Sequence, residues 1–173
     1  MLTLSSNKKN MLIFSYGSNM NISRLRSRVP SAVKISNAYL KGYQMKCNKI
    51  SIDKSSKGNI IPTENENDRV WGVVFNIEDK QKKDLDRVEG LGKGYYEMMI
   101  FCTDINNNNY NAQVYIAKQE FISDDLIPYD WYKELILTGA KENSLPTEYV
   151  EQLEAMAFNV DTDSKRREAN LSK

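Results

Sequence analysis

Apolar positions along the chain change period several times, and each change marks an element. Residues 11–16, MLIFSY, form a short apolar run that stops at Gly17, as a buried strand does. Asn19 or Asn21 can cap a short helix over 22–28, which Pro30 ends. Residues 32–39 and 43–50 read as strands joined at Lys41-Gly42, and 53–58 and 63–68 read as polar loops. VWGVVFNI, 70–77, is the strongest strand signal, rich in β-branched and aromatic residues. The period then lengthens. EDKQKKDLDRVE, 78–89, predicts a helix with acids at its start, Leu85 and Val88 three apart, and Gly90 where a left-handed terminating residue belongs.

Residues 95–103 and 110–117 alternate as paired strands, with the four asparagines at 106–109 as their turn. The last third is helical: 129–142 sets Trp131, Leu135 and Thr138 on one side, and 147–156 follows Pro146 with Thr147 as cap. Strands first, one helix inserted and helices last predict an α+β fold with a mostly antiparallel, curved sheet. One domain over 11–157 is expected, with flexible termini at 1–10 and 158–173.

Composition narrows the chemistry. Lys plus Arg number 24 and Asp plus Glu 23, a net charge of +1, without the basic surplus of a nucleic-acid binder. No apolar run reaches membrane-spanning length, and the first ten residues lack a signal-peptide core, so a cytoplasmic protein is expected. Cys47 and Cys102 make no disulfide framework and read as reduced thiols, their reactivity left open. Histidine is absent. Acid–base chemistry near neutral pH then falls to a carboxylate, Lys, Tyr or Cys.

Two stretches could carry such chemistry. The strand ending in Tyr16-Gly17-Ser18-Asn19-Met20 exposes several N–H groups ahead of a helix, suited to a carboxylate or to an oxyanion formed in acyl transfer. A tight structural βα turn with an Asn cap would look the same. A phosphate loop fits less well, because no Gly-Lys-[Ser/Thr] follows. The second stretch is LDRVEGLGKGYYE, 85–97. Glu89 at a helix C-terminus faces the negative end of the dipole, and burial beside Leu85, Val88 and Leu91 would further disfavour its ionised form. A surface Glu at a frayed helix end is the plainer reading. Asp86 reads as a solvated partner of Arg87. Tyr95, Tyr96 and Tyr132 could line a polar-ended pocket.

Taken together, FSYGSNMNISRLRSRVPSA, NAYLKGYQMKCN, VWGVVFNI, LDRVEGLGKGYYE and WYKELILTGAKENSLPTEYVEQLEAM resemble the γ-glutamylcyclotransferase (AIG2-like) family across about residues 11–157. The resemblance implies a small mixed, barrel-like sheet with flanking helices and a site at the turn after the first strand. It implies cyclisation of a γ-glutamyl amino acid or amide to 5-oxoproline, with release of the amine and with no cofactor or metal. Glu89 matches the family's acid–base glutamate. Tyr16, Gly17, Ser18, Asn19 and Met20 match its substrate-binding turn, Met20 standing where leucine is commoner, and Tyr96 and Tyr132 match pocket tyrosines. The expected partner is a small γ-glutamyl substrate, with no nucleic acid or membrane, and a homodimer is in view. A γ-glutamylamine cyclotransferase, a γ-glutamyl-deprotecting enzyme of a biosynthetic pathway and a non-catalytic small-acid binding module remain as alternatives.

Overall fold

A computed structural model describes residues 9–172. Five strands close a barrel in the order β1-β5-β2-β6-β7. They are β1 (Asn10–Ser15), β2 (Val33–Lys41), β5 (Arg69–Glu78), β6 (Tyr95–Thr103) and β7 (Asn109–Ala117). Every pairing is antiparallel except β1 with β7, which meet in parallel at Ile13 and Gln113. The α+β architecture expected from the pattern and the mixed, barrel-like sheet implied by the resemblance are both observed.

The two faces of the barrel follow from the period of two along each strand. Phe14, Ala38, Leu40, Val70, Val74, Ile100, Cys102, Ala112, Val114 and Ile116 fill the inside. The alternate residues Ile13, Val73, Phe75, Ile77, Tyr115 and Ala117 pack outward against Leu25, Leu85, Trp131, Leu135, Ile136 and Leu153 of the helices.

A separate hairpin, β3 (Tyr43–Ile50) and β4 (Ser56–Pro62), lies beside the barrel. The loop expected over 53–58 is therefore cut short, its last three residues opening β4. Polar Ser56, Lys57 and Gly58 hide the strand signal, and pairing with β3 supplies the order that local preference lacks. Asn59 ties the hairpin to the barrel by accepting the Ala117 N–H at 2.9 Å.

The helices are α1 (Ile22–Arg28), α2 (Lys82–Glu89), α3 (Asp130–Glu142), α4 (Thr147–Glu154) and α5 (Ser164–Leu171). Asn21 caps α1, accepting the Arg24 N–H at 2.9 Å. The helix foreseen over 78–89 begins later: Glu78 still belongs to β5, and 79–81 form a 3₁₀ turn. Pro146, not Thr147, takes the cap position of α4. The C-terminal segment expected to fray is an ordered helix, capped by Asp163, whose side chain accepts the Arg166 N–H. Buried Asp161 anchors it, accepting from Trp131 Nε1 at 2.8 Å and pairing with Arg166 at 2.6 Å. That guanidinium holds the Asp161 carboxyl well below the usual carboxylate range. The flexible N-terminus expected at 1–10 falls mostly outside the described residues. No helix among the described residues is long and apolar enough to cross a membrane.

Helix α3 backs the turn that follows β1. A Cβ on Gly139 would lie 2.6 Å from Asn21 N and 2.8 Å from Met20 Cβ, so the helix approaches the turn as closely as glycine permits. Asn143 adds a hydrogen bond to the Met20 carbonyl at 2.9 Å. Gly139→Ala should gain about 1 kcal/mol in helix propensity and still lose about 1–3 kcal/mol of net stability, because backbone atoms must move. Urea unfolding measures this; a change within about 0.5 kcal/mol would contradict the close approach.

Candidate active site

Two helix C-termini converge on the turn after β1. Gly90 adopts the left-handed conformation (φ 72°, ψ 44°) and stops α2, so Glu89 is its last residue. Arg28 is the last residue of α1. Arg28 Nη1 donates to Glu89 Oε1 at 2.8 Å and to Asn19 Oδ1 at 2.7 Å, and Asn19 Nδ2 donates to the same Glu89 oxygen at 2.9 Å. A closed triangle results, with the Glu89 side chain only 17% exposed. The second carboxylate oxygen, Oε2, accepts no hydrogen bond among the described residues.

This environment differs from the apolar one expected for Glu89. Leu85 is buried, but Val88 is exposed to solvent, and the carboxylate is paired with the Arg28 guanidinium, a partner far from it in sequence. Nor is Asp86 a partner of Arg87. Arg87 reaches back to Asp84 at 2.8 Å, while Asp86 accepts from the Tyr115 hydroxyl at 2.7 Å and from Lys82. Asp86 thereby fastens α2 to the barrel wall.

Ser18–Met20 form a single 3₁₀ turn with Gly17 at its cap. The Met20 N–H is spent on the Gly17 carbonyl at 3.0 Å. The N–H groups of Gly17, Ser18 and Asn19 meet no acceptor among the described residues and lie beside Glu89 in one recess. Met20 itself is fully buried beneath the turn and does not line that recess. Its side chain anchors the turn in the core, which corrects its expected place in the binding surface.

Tyrosines and one glycine build the floor. Tyr16 donates to the Tyr115 carbonyl at 2.7 Å, and Tyr95 donates to the Gly58 carbonyl at 2.6 Å. The Gly58 N–H donates to the Tyr132 hydroxyl at 2.9 Å. A Cβ at Gly58 would sit 3.1 Å from that hydroxyl and 3.3 Å from Met45, so a bare backbone fits best here. The Tyr132 proton has no acceptor among the described residues and is free for a ligand. Burial raises the phenols of Tyr16, Tyr95, Tyr115 and Tyr132 above their ordinary value, with Tyr132 and then Glu89 adding to the effect at Tyr16. All four remain neutral hydrogen-bonding groups at neutral pH. Glu89 is then the one carboxylate among the residues lining the recess.

Tyr16, Gly17, Ser18, Asn19, Glu89 and Tyr132 thus meet as expected. Tyr96 does not join them. It lies 42% exposed on the opposite face of β6, and Tyr95 takes the pocket position. The adjacent pair YY carries both parities of one strand, and the sequence alone does not say which points inward. Arg28, Gly58 and Tyr115 are not foreseen from the sequence, whereas Tyr95 is one of the three tyrosines expected to line a pocket. A cation at the C-terminus of a predicted helix was the one available hint to Arg28.

Burial pushes both thiols, Cys47 and Cys102, up to about 12, and neither forms a disulfide.

Comparison with known proteins agrees with this geometry. The model of the AIG2-like family matches residues 69–153. A Mus musculus protein named gamma-glutamylcyclotransferase is 32% identical over 152 residues, covering 86% of this chain and 79% of its own. A Homo sapiens protein of the same name is 30% identical over 167 residues, covering 88% and 81%. A solved structure named gamma-glutamyl cyclotransferase superposes with a TM-score of 0.84 at 27% identity, over 95% of this chain and 99% of the other. With its barrel, its turn and its extent of likeness to these relatives, the chain belongs to the γ-glutamylcyclotransferase family.

Proposed function

We propose that this recess cyclises a γ-glutamyl compound to 5-oxoproline, with Glu89 carrying the proton. The substrate's free α-amino nitrogen attacks its own γ-carbonyl carbon. A C–N bond forms, and the carbonyl oxygen becomes an oxyanion. The bond to the leaving nitrogen then breaks, the carbonyl reforms, and a free amine or amino acid departs. Nucleophile and electrophile belong to one molecule, so holding the folded-back conformer lowers the barrier, by up to about 7–11 kcal/mol in favourable cases.

Glu89 Oε2 takes a proton from the attacking nitrogen and returns it to the leaving nitrogen. Asn19 and Arg28 occupy Oε1, which fixes the carboxylate plane and leaves Oε2 as the reactive oxygen. The N–H groups of Gly17, Ser18 and Asn19 serve the oxyanion, whose charge develops where these dipoles already point. The Tyr132 hydroxyl supplies a neutral donor beside Gly17. The observation that carries this reading is a single carboxylate oxygen without a partner, in one recess with three main-chain donors also without partners.

Glu89→Gln keeps an acceptor for Arg28 and Asn19 and removes the proton carrier. It should lower kcat by at least about 100-fold with the fold intact. Release of 5-oxoproline followed by mass spectrometry, from a panel of γ-glutamyl dipeptides and amines, provides the assay; unchanged turnover would remove Glu89 from the mechanism.

The turn is proposed to act through its backbone, and two substitutions separate backbone from side chain. Ser18→Ala should cost less than about tenfold in kcat/KM, whereas Gly17→Val should cost about 100-fold or more. A Cβ at Gly17 would already lie 3.3 Å from the Tyr132 hydroxyl, and valine adds two methyl groups to it. Equal, severe losses for both variants would mean that the Ser18 hydroxyl takes part.

A further inference from the structure

Lys49 is a half-buried cation beside the recess with no ion pair among the described residues. Arg28 is engaged with Glu89. Lys57 is engaged with Asp53 at 2.8 Å and with Ser55 Oγ at 2.6 Å. Lys49, on β3, reaches from the hairpin across the loop that follows Glu89, and its Nζ stops 4.9 Å from the centre of the Tyr95 ring. That ring lines the recess. The Lys49 ammonium makes no hydrogen bond or ion pair with any described residue.

Its path is built into the loop. A Cβ on Gly94 would lie 2.7 Å from Lys49 Cε and 3.0 Å from Nζ, so a side chain there would displace the lysine. Burial lowers the Lys49 ammonium below its usual range, while the charges of Glu89 and then Asp53 oppose that shift. A half-buried ammonium facing an aromatic ring, with no anion in contact, is a site that gains from an incoming carboxylate.

Given the cyclisation proposed for this recess, we propose that Lys49 binds the α-carboxylate of the departing amino acid and so selects γ-glutamyl amino acids over γ-glutamyl amines. The geometry of an α-amino acid fits. Its carboxyl carbon stands about 2.5 Å from the nitrogen that leaves, across one Cα. The leaving nitrogen must approach Glu89 to be protonated, which brings its carboxylate toward the loop after Glu89, where Lys49 waits. A simple amine has nothing to offer this ammonium.

The test uses two substrates that differ by that carboxylate alone, γ-glutamyl-L-alanine and γ-glutamylethylamine. The wild-type chain should favour the alanine compound in kcat/KM. In Lys49→Gln the alanine-to-ethylamine ratio should fall by about 10- to 100-fold, the scale of a charge-assisted hydrogen bond, and Lys49→Arg should restore most of it. Circular dichroism establishes that each variant is folded. No preference in the wild type, or an equal loss on both substrates in folded Lys49→Gln, overturns the proposal and leaves the cyclisation standing. An equal loss would place Lys49 against the glutamyl half that the two substrates share. If the wild type forms 5-oxoproline from neither compound, the cyclisation reading fails, and the role of Lys49 fails with it.

Discussion

The ion pair between Arg28 and Glu89, closed into a triangle by Asn19, is the contact on which the site depends. Each residue solves a local problem for the others. Glu89 ends a helix whose dipole opposes its charge, and Arg28 ends a helix whose dipole favours a cation. Bringing the two ends together offsets the unfavourable position of the carboxylate with a full positive charge at 2.8 Å. Because both partners are largely shielded, the gain from attraction and the cost of desolvation nearly balance, and the pair contributes more to orientation than to stability. One carboxylate oxygen is held, and the other has no hydrogen-bond partner among the described residues.

The remaining architecture keeps that turn in place. From behind, α3 presses on it at Gly139 and holds the Met20 carbonyl through Asn143. From below, the hairpin delivers Gly58, whose carbonyl and N–H engage Tyr95 and Tyr132. Asp86 joins α2 to Tyr115, so that the helix bearing Glu89 is referenced to the barrel and not to solvent. The barrel supplies the rigid frame, and each functional group stands at an element's end. Such positions leave backbone donors unspent, which is why groups able to serve a ligand can gather there.

Much of this was legible in the chain. The stop at Gly17, the left-handed residue at Gly90 and the period change after residue 78 are strong local signals, and they locate the turn and Glu89. Tyr132 follows from the resemblance, as a match to a pocket tyrosine. What was not legible depends on partners far away in sequence. Arg28 finds Glu89 across 61 residues, and only its place at a helix C-terminus hints at a role. The start of β4 lacks strand formers and exists through pairing with β3. Tyr95 and Tyr96 differ only in parity, which the barrel decides. Helix α5 is polar enough to read as tail; buried Asp161, bonded to Trp131 and Arg166, makes it part of the fold.

The central claim is that Glu89 Oε2 and the turn N–H groups act on one ligand from two sides. A crystal structure of the chain with 5-oxoproline bound tests it most directly. The account predicts the lactam nitrogen within about 3 Å of Glu89 Oε2, with the ring carbonyl directed at the N–H groups of Gly17, Ser18 and Asn19. Product bound away from this recess, or bound within it with the Glu89 carboxylate turned out of reach, would contradict it.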